Sequence, residues 1–188
     1  KWTSRGRSVK VALAHHADDN AETVLFQMVR GSGLNGLSGM RGERELAEHV
    51  TLIRPLLDIR RCEIEAYLGE RNQSYCTDAT NFDTEYSRNK VRREIIPLLE
   101  QINAQAVSHI GQSARMIGEA ADYLRKQALN IYECCKEEEE HGILLTLQLW
   151  ENYPVFLQKE VLYLALADAA GGERDLTSQH VEALWELG

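Results

Sequence analysis

The chain has 188 residues, of which 44% are hydrophobic and 27% charged, with a formal net charge of −8. That balance excludes a disordered polymer and leaves room for one or two domains with a sizeable core. The acidity argues mildly against a nucleic-acid binder, no apolar run is long enough to span a bilayer, and the start lacks a secretory stretch.

The charge is unevenly placed. Residues 1–105 carry 15 Lys+Arg and 15 Asp+Glu, whereas residues 106–188 carry 6 and 14 and supply all of the −8. Arg-rich patches in the first part are therefore free to meet phosphate. Cys62, Cys76, Cys134 and Cys135 show no zinc-ligand spacing and read as free thiols in a reducing, cytoplasmic setting.

Ser8 to Ala14 is short, apolar and β-branched at Val9 and Val11, which predicts a buried strand. Ala14 to Thr23 then packs His15, His16, Asp18, Asp19 and Glu22 into one crossing. In an open parallel sheet, ligands bind at such strand ends. Asp18 or Asp19 can cap the next helix, whose apolar positions are Val24, Leu25, Met28 and Val29, and Gly31 suits its end. Gly31 to Met40 is glycine-rich but is not a Walker loop, and reads as a connector more readily than as a phosphate cradle.

Glu43 to His49 is polar. Val50 to Ile53 predicts a second buried strand, stopped by Pro55, with Arg54 at its end. Asp58 is expected to cap a helix through Leu68, burying Ile59, Cys62, Ile64 and Leu68. Tyr75 to Asp83 is rich in turn formers. If Tyr86 to Ile96 is helical, Arg88 and Arg92 share one face beside Asp78 and Asn81, as a phosphate clamp or an ion-pair face. After Pro97 an apolar stripe runs from Ile102 through Ile110, Ile117 and Leu124 to Ile131, the pattern of one long amphipathic helix. Gly142 to Leu147 reads as a strand or a buried turn, and helices are expected after Pro154 and Thr177. The fold class is thus α/β: part of a Rossmann-like parallel sheet with flanking helices over 1–100, followed by an all-helical second domain over 101–188.

Four segments together carry a resemblance: His15 to Thr23, Arg30 to Leu37, Arg54 to Leu57, and Asp78 to Asn81 running on to Tyr86–Arg92. In this order and spacing they resemble the tRNA(Ile)-lysidine synthases of the PP-loop, or N-type ATP pyrophosphatase, family. The family's Ser-Gly-Gly-x-Asp-Ser loop is absent, so the resemblance implies an internal fragment, inactive alone. It implies ATP and Mg²⁺ as cofactors, and tRNA(Ile) with a CAU anticodon and free L-lysine as partners. A homodimer is compatible with it.

The chemistry so implied adenylates C2 of the wobble cytidine and then replaces AMP with the lysine side-chain amine. Asp19 and Glu22 are expected to hold that amine, with His15 or His16 assisting. Asp18 and Asp19 are the expected magnesium ligands. Arg30, Arg54, Asp78, Asn81, Arg88, Asn89 and Arg92 are expected to bind phosphate or substrate. The rival readings are another PP-loop tRNA-modifying enzyme or ligase, and a non-catalytic tRNA-binding module.

Overall fold

The computed structural model describes residues 8–75, 85–139, 142–146, 152–172 and 176–187. Contacts group the chain into two compact units, Lys1–Glu119 and Ala120–Gly188.

The first unit opens with β1 (Val9–Ala12), α1 (Ala17–Val29) and the short α2 (Leu34–Leu37). There follow β2 (Glu43–Ala47), β3 (Val50–Ile53) and α3 (Arg61–Glu70). Then α4 (Glu85–Lys90) runs into a π-helical turn (Val91–Ile95) and α5 (Ile96–Ile102). The start of α6 (Ala106–Cys135) completes the unit.

The sheet order is β1-β3-β2. β1 and β3 are parallel, with Val9 opposite Val50 and Ala12 opposite Ile53. β2 is antiparallel to β3, with an irregularity between Glu45 and Ala47. The parallel pair is thus joined by an antiparallel strand that the polar Glu43 to His49 stretch did not announce. Charged side chains suit such an edge, because they discourage pairing with other chains. His49, at φ 64°, makes the turn between β2 and β3. β1 departs from the expected buried strand: Lys10, Val11 and Ala12 are exposed. Its apolar run specifies pairing with β3, and among the described residues β3 is its one strand neighbour.

The core under α1 gathers Ala21, Val91, Ile96 and Val107, with Ala17, Leu25, Ile95 and Ile110 around it. Met28 and Val29 lie outside it, at 58% and 80% exposure, so the buried stripe of α1 is its first half. Ile102 is also exposed, because it ends α5 rather than joining α6; Val107 takes the buried place. Helix α3 starts at Arg61, not after Asp58, and Ile59 and Cys62 are exposed, leaving Ile64 and Leu68 partly covered.

The glycine-rich loop is packed. Its amides at Gly31, Ser32, Gly36, Leu37, Ser38 and Gly39 donate to nearby carbonyls, and so are turned inward rather than toward a phosphate. Buried Asn20 accepts from the Met40 amide at 2.7 Å and pins the loop to α1. Gly39 sits at φ +65°, where a Cβ would strike Asn20 Oδ1 and come within 2.9 Å of Val24 Cγ2. Gly39→Ala is therefore expected to cost about 2–5 kcal/mol, the sum of left-handed strain and overpacking. Urea denaturation would measure it, and an unchanged midpoint would contradict the packing.

The second unit holds the rest of α6, the strands β4 (Lys136–Glu139) and β5 (Gly142–Leu145), α7 (Val155–Ala169) and α8 (Ser178–Trp185). Its core is Ala128, Ile131, Tyr132, Cys135, Val161 and Leu164. The unit is not all-helical as expected: β4 and β5 form an antiparallel pair, with Lys136 opposite Leu145. Glu137 to Glu139, in an acidic run that reads as a solvated turn, belong to β4 instead. Tyr132 donates to Asp168 at 2.7 Å, and Lys136 pairs with the same oxygen at 2.8 Å. Burial and that acceptor push the Tyr132 hydroxyl up to about 12, while Lys136 and Tyr132 hold the Asp168 carboxyl below its usual range.

Candidate active site

The site is built where the chain leaves β1. Leu13 still bonds to Ile53 at 2.9 Å, and His16 turns the chain into α1 with extended backbone at φ −121°. His16 Nδ1 accepts from the Asp19 amide at 3.3 Å, while the His16 amide donates to Asp19 Oδ2 at 3.0 Å. This reciprocal cap satisfies amides that the helix itself leaves open. It also makes His16 the cap, a role the sequence left to Asp18 or Asp19.

One turn on, Glu22 is 4% exposed. Burying a carboxylate requires a charged partner, and Arg92 supplies it. Its Nε and Nη2 donate to the two Glu22 oxygens at 2.6 and 2.9 Å, the fork geometry that suits a carboxylate. Nη2 also reaches Asp19 Oδ1 at 3.1 Å. Arg92 lies in the π-helical turn, a widened register often found at functional sites. Two carboxylates thus face one guanidinium, and the cluster retains negative charge that a second cation can meet. Its Asp19 side is partly open, since that side chain is 20% exposed.

Asp18 faces elsewhere. Arg60 donates to it through Nε at 3.2 and 3.3 Å and through Nη2 at 3.0 Å. The Arg61 amide donates to Asp18 Oδ2 at 2.7 Å, so Asp18 caps α3. Arg60 Nη2 also holds Glu100 at 2.7 Å. Burial pushes the Asp18 carboxyl up, but the Arg60 and Arg61 bonds outweigh it and leave it below the usual carboxylate range. This carboxylate does not fit a magnesium shell, because its oxygens already serve a guanidinium and a backbone amide. Asp19 fits poorly, with His16 on one oxygen and Arg92 on the other.

Of the remaining expected residues, His15 accepts through Nδ1 from Arg54 Nε at 3.1 Å, and Arg54 Nη1 donates to the Arg41 carbonyl at 2.7 Å. Arg54 is thus at the strand end as expected, holding a histidine. Arg30 is not brought to the cluster. It ends α1, about 16 Å along the axis from Asp19, with its guanidinium 5.2 Å from the Phe26 ring. Arg88 is exposed and Asn89 half-buried on α4. Asp78 and Asn81 lie outside the described residues. Sequence reasoning missed Arg60, Glu100 and Asn20. Each acts across long chain separations, which local spacing does not mark.

Known proteins sharing these segments decide the relationship. A family model described as a PP-loop domain matches residues 3–99. The chain belongs to the PP-loop family. The matched PP-loop region includes His15 through Arg92, and so the whole cluster. A tRNA(Ile)-lysidine synthase from Synechococcus sp. is 34% identical over 177 residues, 94% of this chain and 53% of that protein. Another from Chromobacterium violaceum is 41% identical over 134 residues, 71% of this chain and 31% of that one. One from Francisella tularensis subsp. tularensis is 43% identical over 152 residues, 81% and 37%. The chain spans about half the length of these curated relatives or less. Among the described residues, no helix is long and apolar enough to cross a membrane.

The Asp18 bonds give this PP-loop unit a definite acid sensitivity. A carboxyl held below its unfolded value stabilises the fold above about pH 4, and that contribution is lost as pH falls through the folded value. The stability gap between the native chain and Asp18→Asn is expected to be full at pH 6 and to shrink below about pH 4. Chemical denaturation across that range measures it; a gap that does not narrow would contradict the ion pair.

Proposed function

We propose that this chain is part of a cytoplasmic tRNA(Ile)-lysidine synthase, joining free L-lysine to C2 of the wobble cytidine in a tRNA(Ile) with a CAU anticodon. The observation that carries the reading is the Asp19–Glu22–Arg92 cluster at a strand's carboxyl end, within the matched PP-loop region. In the reaction, the C2 oxygen of cytidine attacks the α-phosphorus of ATP and pyrophosphate leaves. The lysine side-chain amine then attacks C2, and AMP leaves with that oxygen.

A free lysine ammonium has a pKa near 10.4, so about 0.04% is neutral at pH 7. Asp19 and Glu22 attract the ammonium, and a carboxylate of this pair, assisted by His15 or His16, takes its proton as attack proceeds. Arg92 holds both carboxylates in place through its bonds to Glu22 and Asp19. His15 is steadied by Arg54 through Nδ1, which leaves Nε2 as the ring nitrogen for the assisting role. Arg88 and Asn89 are assigned to phosphate or the tRNA backbone, Asp78 and Asn81 to substrate, and Arg30, set apart on α1, to tRNA contact. Magnesium would neutralise the departing pyrophosphate, but the oxygens of Asp18 and Asp19 are already taken by Arg60, Arg61, His16 and Arg92, so no ligand for it is assigned among the described residues. A homodimer is compatible with this reading.

The test is the substrate dependence of ATP use by the activity-competent enzyme with cognate tRNA. AMP release that requires L-lysine supports the reading. Release that requires a sulfur donor instead points to another PP-loop enzyme. Binding of tRNA without turnover, weakening steeply with salt, points to a non-catalytic module.

A further inference from the structure

The bonds around Arg60 span the two elements that meet at the site. On one side are α1 and the turn before α3: the Ala17 amide donates to the Ile59 carbonyl at 2.9 Å, and Asp18 receives both Arg60 and the Arg61 amide. On the other side is Glu100, held by the same guanidinium at 2.7 Å. Glu100 belongs to α5, which continues directly from the π-helical turn carrying Arg92. Asp19 and Glu22 follow Asp18 on α1. One arginine therefore ties the helix bearing the site's carboxylates to the helix that follows the site's arginine.

The tie is covered as well as charged. Side-chain exposure is 17% at Asp18, 20% at Arg60 and 33% at Glu100. Such pairs are screened less than exposed ones, and a planar fork fixes direction as well as distance. By contrast, the Arg92 side chain is 44% exposed and sits in a widened turn, so it gains from an external constraint.

We propose that Asp18, Arg60 and Glu100 form a positioning bridge that sets the separation between the Asp19–Glu22 carboxylates and Arg92. Asp18 is a positioning residue in this assignment and not a ligand of magnesium. The proposal rests on reading Asp19, Glu22 and Arg92 as the lysine-amine site, but its geometry can be tested without lysine.

The readout is hydrogen exchange of the Arg92 Nε–H, followed by NMR on the 188-residue chain. In the native chain this proton is held against Glu22 at 2.6 Å and is expected to exchange slowly. Asp18→Asn, Arg60→Met and Glu100→Gln are each expected to speed its exchange by about tenfold, through more frequent local opening. The Arg60→Met/Glu100→Gln double variant should be no faster than Arg60→Met, because both changes cut one path. A role confined to bulk stability would lower the melting temperature and leave Arg92 exchange within about twofold, measured well below melting. That result would overturn the bridge. So would Mn²⁺ broadening of the Arg60 and Arg61 signals that disappears in Asp18→Asn, which would mark Asp18 as a metal ligand. Should Asp18→Asn or Arg60→Met fail to fold, the half-exposed Glu100→Gln decides. L-lysine added to the native chain is a separate arm: no change at Arg92 would count against the lysine reading, and the exchange rates would still judge the bridge.

Discussion

Asp19→Asn is expected to lower lysidine formation by the intact enzyme by at least about a hundredfold, the scale of losing a positioned proton acceptor. The fold should survive. An asparagine oxygen can still accept from the His16 amide, and the return bond from the Asp19 amide to His16 Nδ1 does not involve the side chain. What changes is charge. With its single oxygen kept on the His16 amide, the asparagine turns an amide nitrogen toward Arg92, so the 3.1 Å bond is lost, and the cluster falls from two carboxylates against one guanidinium to one against one. A lysine ammonium then finds no net negative charge to meet. Single-turnover formation of lysidine, with circular dichroism as the folding control, measures this. Native turnover in the folded variant would remove Asp19 from the reaction.

Much of this site is legible in the residues. The run from His15 to Glu22 and the Arg at the end of Val50–Ile53 point to one end of the sheet, while the Arg88–Arg92 spacing leaves a phosphate clamp and an ion-pair face open, and Arg92 is found paired with Glu22 and Asp19. The helical period also marks Ala106–Cys135 as one long helix, with Ala114, Ala121, Ala128 and Ile131 buried along it. Three adjacent residues show where the reading stops. Asp18, Asp19 and Asn20 look alike in sequence, as short polar groups suited to a helix start. In the fold they face three ways: Asp18 to Arg60, Asp19 to Arg92 and Asn20 to the Met40 amide. Helical rotation of about 100° per residue separates them, and each destination lies 20 or more positions away. Sequence gives the rotation but not the destinations. Burial of β1 and the pairing of β2 were illegible for a related reason. Strand coverage depends on neighbours brought from elsewhere in the chain, and edge strands tolerate polar residues.

Arg92→Met is expected to destabilise the first unit by about 2–3 kcal/mol, measured by urea denaturation. Removing one partner of a buried ion pair costs about 3–5 kcal/mol, because the remaining charge stays buried without its counterion. Arg92 is partly exposed, so solvent reduces that figure. The burden falls on Glu22, whose side chain is 5% exposed and whose two oxygens both face Arg92. Glu22→Gln alone also destabilises, since an amide nitrogen then confronts the guanidinium. The double variant separates the causes. With neither charge present there is no buried carboxylate to strand, so Arg92→Met/Glu22→Gln should be less destabilised than the two single changes summed, by about 1–2 kcal/mol. Lost packing of the arginine stem would not be recovered in that way. Strictly additive losses would show that Arg92 and Glu22 stabilise this unit independently rather than through each other. The picture of a paired, waiting carboxylate site would then have to be given up.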